Sequence, residues 1–188
     1  MKKIFLLAVL VSGFAFGQSK KVVTSDVHWW GYKVAKTKSS SHDGTIKVKS
    51  GNMMMQGNEL VGGVFVLDMK SINATDLSGE DQAGLNNHLK NGDFFEVEKF
   101  PTASFKITSV KKNNDKVYNK LVTGGLTVKG KTNNISFPAK VAYSNGVVSL
   151  ESNKFSFNRQ KFDVTYKSSM KDVFLNDDIE MLVKVSAK

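Results

Sequence analysis

Along most of this chain apolar and polar side chains alternate with a period of two. Ala103, Phe105 and Ile107 are separated by Ser104 and Lys106. Ile135, Phe137, Ala139 and Val141 alternate with Asn134, Ser136, Pro138 and Lys140. Ile179, Met181, Val183 and Val185 repeat the pattern near the end, Ile46 and Val48 sit among Thr45, Lys47 and Lys49, and Trp30, Tyr32 and Val34 share one face. Successive side chains of a strand point to opposite faces, so each run predicts a half-buried strand. Turn residues separate the runs: Ser50-Gly51-Asn52, Gly57-Asn58, Asn113-Asn114-Asp115, Gly130-Lys131-Thr132 and Asn145-Gly146. The Asn-Gly pair is the strongest hairpin signal among them. Many strands joined by short turns predict an all-β antiparallel sandwich or barrel.

One stretch breaks the alternation. Ser78 followed by Gly79, Glu80 and Asp81 reads as a helix N-terminus with an imperfect capping box. Leu85 and Leu89 then fall one turn apart on one face, and Gly92 is placed to stop the helix. Pro101 suits the entry to the next strand, where no ladder N–H is needed. Leu85, Leu89, Phe94, Phe95 and Phe100 exceed what a surface loop needs, so the segment is expected to form a lid over a barrel. Glu96, Glu98 and Lys99 are expected to face solvent.

Composition changes the picture at the N-terminus first. Lys2 and Lys3 precede an apolar run, Ile4 to Val11, which is too short to span a bilayer. Ala15-Phe16-Gly17 then supplies small residues, the order of an export leader ending at Gly17. Removing 17 of 188 residues leaves 188 − 17 = 171, residues 18–188, enough for one domain with its own core. The chain has no Cys, so disulfides, thiolate metal sites and Cys nucleophiles are excluded. An exported protein, periplasmic by this reading, makes nucleic acid an unsuitable partner. The net charge of +10 is carried almost wholly by lysine, and fits transient contact with an anionic membrane surface or a solvated basic face.

The ordered motifs His42-Asp43-Gly44, Gly62 to Ile72, His88 to Phe95, Phe100 to Phe105, Gly124 to Gly130 and Phe155 to Arg159 resemble the YceI-like family of exported polyisoprenoid-binding proteins. The resemblance covers nearly all of the chain beyond the leader. It implies a lipocalin-like antiparallel barrel of roughly eight strands with an apolar interior for a long isoprenoid chain. It implies no catalysis and no cofactor beyond that lipid. The Trp29-Trp30 pair and Gly125 depart from the family pattern.

The inward stripes give the candidate cavity wall. Trp30 comes from the first strand, and Phe65 and Leu67 from the Gly62 to Ile72 segment. Phe105 and Ile107, then Leu126 and Phe137, extend it. Phe155, Phe157 and Met181 complete it. Such a barrel is wide enough to fill with its own side chains or to hold one ligand. Arg159 is the only arginine among 27 basic residues, and its planar fork suits a carboxylate such as Asp68 or Asp43, or a ligand phosphate. A structural ion pair is the simpler reading. His42 is expected to brace a turn with Asp43, and His88 to sit at the helix edge beside the lid. His28, His42 and His88 lack metal-ligand spacing, and no Gly-x-Ser-x-Gly elbow occurs. The leading expectation is a lipid-holding barrel. Its rivals are an enzyme acting on a lipid in the same cavity, with carboxylates drawn from Asp76, Asp81, Asp93, Glu96 and Glu98, and a structural barrel with a filled core.

Overall fold

The structure, a computed structural model, describes residues 17–35, 40–168 and 172–188. The leader read over residues 1–17 lies outside them, save Gly17. Among the described residues ten strands, one α-helix and a 3-10 turn occur in the order β1 (Gln18–Ala35), β2 (Ser40–Gln56), β3 (Glu59–Ala74), α1 (Gly79–Lys90), β4 (Thr102–Lys112), β5 (Lys120–Val128), β6 (Lys131–Ser144), β7 (Val147–Ser152), β8 (Phe155–Asn158), the 3-10 turn (Arg159–Phe162), β9 (Val173–Leu175) and β10 (Asp178–Ala187). Each of β1 to β6 pairs antiparallel with the next, and β10 pairs with both β7 and β1, which closes an eight-stranded barrel. The two short strands are additions: β8 prolongs the line of β7 along β10, and β9 pairs with the far end of β1.

The alternation was a sound guide to strand identity but not to strand length. Ser50-Gly51-Asn52 does not turn: it lies inside β2, which runs 17 residues to Gln56. Register shifts between Thr45 and Lys47, Val48 and Ser50, and Met54 and Met55 bend the strand instead. At the β6–β7 hairpin, Asn145 and Gly146 both take positive φ, 51° and 78°, the left-handed pair that a two-residue turn requires.

The barrel ladder lapses between β1 and β2 over residues 22–27 and 46–51, and again beside Pro138. β7 pairs with β6 only as far as Ser152 opposite Ala139, followed by one further bond from Asn153 N–H to the Pro138 carbonyl. Beyond it β8 pairs with β10 alone. Pro138 stands at the parting, where its missing N–H is not needed. Side chains close the seam. Phe137 stacks on Phe155 with centroids 4.3 Å apart, and Asn133 Nδ2 donates to the Lys161 carbonyl at 2.7 Å.

The interior divides into two apolar clusters. One is solid: Met53, Met55, Leu60, Val122, Val148 and Ala187 are almost wholly shielded from solvent. The other, around Trp29, Ile72, Leu89, Phe162 and Met181, carries the cavity and is covered by the non-sheet pieces of the chain. Helix α1 packs against β3 there, held by Asn86, whose Oδ1 accepts from Ala74 N–H at 2.8 Å and whose Nδ2 donates to Asn73 Oδ1 at 2.8 Å. Ser78 is the N-cap residue, yet its side chain makes no capping bond. Gly92 does not take the left-handed conformation at the other end. The Leu89 and Lys90 carbonyls instead accept from Phe95 N–H at 3.2 Å and Val97 N–H at 2.9 Å, so the chain folds back beneath the helix.

Candidate functional site

The cavity follows from side-chain parity. On β1 the inward positions are Val27, Trp29, Gly31 and Lys33; on β2 they are His42, Gly44, Ile46 and Val48. Ring after ring of hydrocarbon from the other strands completes a cavity of about 210 Å³. Its lining is apolar apart from Tyr32, Lys33, His42, Arg159 and Asn176. Among the described residues no carboxylate lines it. Voids of this size lined by Leu, Ile and Phe stay dry and accept hydrocarbon.

Phe65, Leu67, Phe105, Leu126, Phe137, Phe155, Phe157 and Met181 all reach the wall, as do Leu85, Leu89, Phe94 and Phe95 from the covering segment. Two residues assigned to the wall do not reach it. Ile107 faces inward but lies in the solid cluster, packed where Gly63 leaves room, 3.5 Å from a would-be Cβ. Trp30 is on the outside. The register opposes Trp29 to Met181 and Gly44, and Trp30 to Glu180 and Asp43, so the inward indole is Trp29. A Cβ on residue 44 would lie 2.6 Å from the Trp29 ring and 2.0 Å from the Asn73 carbonyl oxygen, so only glycine fits. Outside, Lys154 Nζ sits 4.1 Å from the Trp30 ring centroid. Lys154 also donates to the Tyr32 hydroxyl at 3.1 Å, and Tyr32 donates to Glu180. Hydrogen bonds from Lys154 and Tyr32 hold the Glu180 carboxyl below the ordinary range.

The polar candidates separate. Arg159 is 4 % exposed and each of its three side-chain nitrogens has a partner within the chain. Nε donates to the Asn176 carbonyl at 3.2 Å, Nη1 to the Val164 carbonyl at 2.6 Å, and Nη2 pairs with Asp177 at 2.9 Å. The expected ion pair exists with a different carboxylate: neither Asp68 nor Asp43 is the partner. Asp68 accepts instead from Lys70 N–H at 3.1 Å, and Asp43 from the Thr75 hydroxyl at 3.1 Å. His42 does not brace Asp43 directly. Its Nδ1 meets Asp76 Oδ2 at 2.8 Å, while the Asp43 N–H donates to the other oxygen of the same carboxylate. Burial pushes the Asp76 carboxyl up, but the bonds from His42 and Asp43 outweigh it and hold the group below its ordinary value.

His88 stands beside the lid, as expected, and not in the cavity wall. It pairs with Asp93 at 3.3 Å and meets Phe94 and Tyr166 edge-on, centroids 5.0 and 4.6 Å away. Glu98 and Lys99 are exposed, but Glu96 is not free: Lys129 Nζ lies 2.7 Å away and holds the carboxyl low, so Glu96 ties the fold-back to the β5–β6 turn. Val97, which the sequence reading passed over between two acids, is 4 % exposed and part of the core. No group of three or more His, Asp or Glu among the described residues is placed to hold a metal.

The profile of the YceI-like domain matches residues 18–187. A UPF0312 protein of Pseudomonas putida is 29 % identical over 133 residues, 70 % of this chain and 66 % of its own length. The Protein YceI of Salmonella arizonae is 29 % identical over 125 residues, 62 % of this chain and 61 % of its own. The chain thus spans just under two thirds of the length of the curated relatives it matches. Among solved structures, Burkholderia cenocepacia BcnA superposes with a TM-score of 0.66 at 18 % identity, covering 87 % of this chain and 96 % of its own. A polyisoprenoid binding domain from Saccharophagus degradans, implicated in plant cell wall breakdown, gives 0.59 at 10 % identity over 90 % and 97 %. These likenesses establish the barrel as shared.

Proposed function

The chain belongs to the YceI-like domain family, and on that footing we propose that it is an exported, non-catalytic carrier that holds a long isoprenoid chain, polyprenyl or quinone-type, inside the barrel. The observation that carries this reading is the apolar cavity of about 210 Å³ under a helical segment joined to the barrel largely by side-chain ties and not by a sheet ladder. Transfer of hydrocarbon from water contributes about 0.8 kcal/mol per buried CH₂, so such a wall needs little else for affinity. The fold is a binding-protein fold, and the Saccharophagus neighbour named for polyisoprenoid binding shares it. The enzyme alternative needs a titratable pair at the reacting atoms. None of the carboxylates it would draw on lines the cavity: Asp93 is held by His88, Glu96 by Lys129 and Asp76 by His42. Export is supported by the leader pattern of residues 1–17, and transient contact with an anionic membrane by the net charge of +10.

The decisive test is native mass spectrometry of the protein purified gently from its own host, followed by solvent extraction. Co-purification of an isoprenoid is the expected result. A ligand-free mass, together with failure to take up an added polyprenol, would overturn the reading. Cell fractionation of the full chain tests export separately.

A further inference from the structure

We propose that the rim of the cavity is a headgroup site, in which Lys33 and His42 receive the anionic head, a phosphate ester or its like, of the lipid whose tail the barrel holds. This rests on the reading of the cavity as a lipid site. The two inward stripes that build one side of the cavity change character at the same end. On β1 the sequence Val27, Trp29, Gly31 ends in Lys33, and on β2 the sequence Val48, Ile46, Gly44 ends in His42. Lys33 is paired with Ser40 and Gly31 with His42, so Lys33 and His42 are diagonal cross-strand neighbours, about 7–8 Å apart at their roots. Gly31 between them puts no side chain in the way. A single phosphate or pyrophosphate spans that interval.

The charges at this rim are not equivalent. Arg159, the residue whose chemistry best suits a phosphate, is neutralised by Asp177 and tied to two carbonyls. His42 uses Nδ1 on Asp76 and keeps Nε2. Lys33 lines the cavity, is only partly exposed, and makes no ion pair or hydrogen bond among the described residues. The Lys33 ammonium is therefore a cation at the cavity wall with no carboxylate among the described residues to neutralise it. An anionic head supplies the partner just where the hydrocarbon tail would end. A neutral head would leave the ammonium as it is.

The test uses the full-length protein without its leader, with two probes that share one tail, geranylgeranyl phosphate and geranylgeraniol. The wild type should prefer the phosphate, and the preference should shrink as salt rises. Lys33→Met keeps the stem and removes the charge. It should lower affinity for the phosphate roughly tenfold, the loss of one charge-assisted hydrogen bond, and leave the alcohol unchanged. Lys33→Arg should retain the preference. Equal binding of both probes by the wild type overturns the headgroup site while leaving the lipid reading intact. An equal loss of both probes in Lys33→Met overturns it as well, since it marks Lys33 as packing. Displacement of geranylgeranyl phosphate by millimolar inorganic phosphate would point to a free-anion site and overturn the lipid assignment of the rim. Binding of neither probe by the wild type would sink the proposed function with it.

Discussion

The two ends of this barrel are built from the same strands and the same alternation, yet one is solid and the other hollow. At the solid end β2 and β3 run on past the helix-bearing region. Met53, Met55 and Leu60 fold inward against Val122, Val148 and Ala187, and sheet ladders surround them on every side. At the hollow end the ladder gives way to α1, the fold-back at Val97, a single helical turn at Arg159–Phe162 and the short strand β9. Large rings meet there across a space. Stability is expected to reside where every inward side chain touches another, and function where the covering is held by a few polar ties. A period-two pattern therefore specifies which residues face inward, while the closure at each end decides whether they meet.

The sharpest way to break this contrast is to place the same kind of damage at each end. Met53→Ala at the solid end should cost about 2–5 kcal/mol in urea denaturation, with lipid bound per folded molecule unchanged. Phe157→Leu at the hollow end should cost far less and alter the lipid chain length preferred in competition assays. A reversed ranking in the two measurements would mean that the division is wrong. Arg159→Lys comes next. It loses the fork that joins Asp177, Val164 and Asn176, so the melting temperature should drop by the equivalent of roughly 1–3 kcal/mol. Binding of a neutral prenol should hold.

A smaller global effect is expected from Leu85→Ala with Leu89→Ala. The lid opens as a local unit, so proteolysis between Asp76 and Phe100 should quicken and lipid exchange should speed up, while the barrel's denaturation midpoint barely moves. Exchange as slow as in the wild type, despite faster cleavage, would place lipid entry elsewhere. Smallest is the response to acid. The Asp76 carboxyl is held below its ordinary 3.8, so its contribution is present above that value and is lost as pH falls through the lower, folded-state one. The cost should stay below about 1 kcal/mol for so exposed a tie. Hydrogen exchange should show helix amides loosening as pH falls below 3.8, before those of the Met53 region.

Much of this was legible in the chain. Strand identity follows from alternation, and Leu85 and Leu89 fall one helical turn apart on the covered face. What escaped was set by partners distant in sequence. Two adjacent tryptophans carry no parity of their own, and only pairing with Met181 and Gly44 turns Trp29 inward. Arg159 announced a fork by being the lone arginine. Its carboxylate, Asp177, came from a segment with no periodic signal. Gly51 read as a turn because a glycine in a strand and a glycine in a loop look alike. Here it makes room for Phe65 and Val22, each 3.0 Å from a would-be Cβ. Gly44 could have revealed the cavity side of β2, since the wall there leaves no space for a side chain.

The lapse of the ladder beside Pro138 gives the container compliance. Over most of the remaining circumference the girth of the barrel is fixed by main-chain bonds, which do not stretch. Between Phe137 and Phe155 it is fixed by two stacked rings and, nearer the rim, by one amide tie from Asn133. Widening there exchanges one aromatic contact for another and breaks no strand pairing. An isoprenoid is thicker at each methyl branch than between branches. A rigid cylinder would have to match that corrugation in register, whereas a wall with one yielding seam lets the bulges pass.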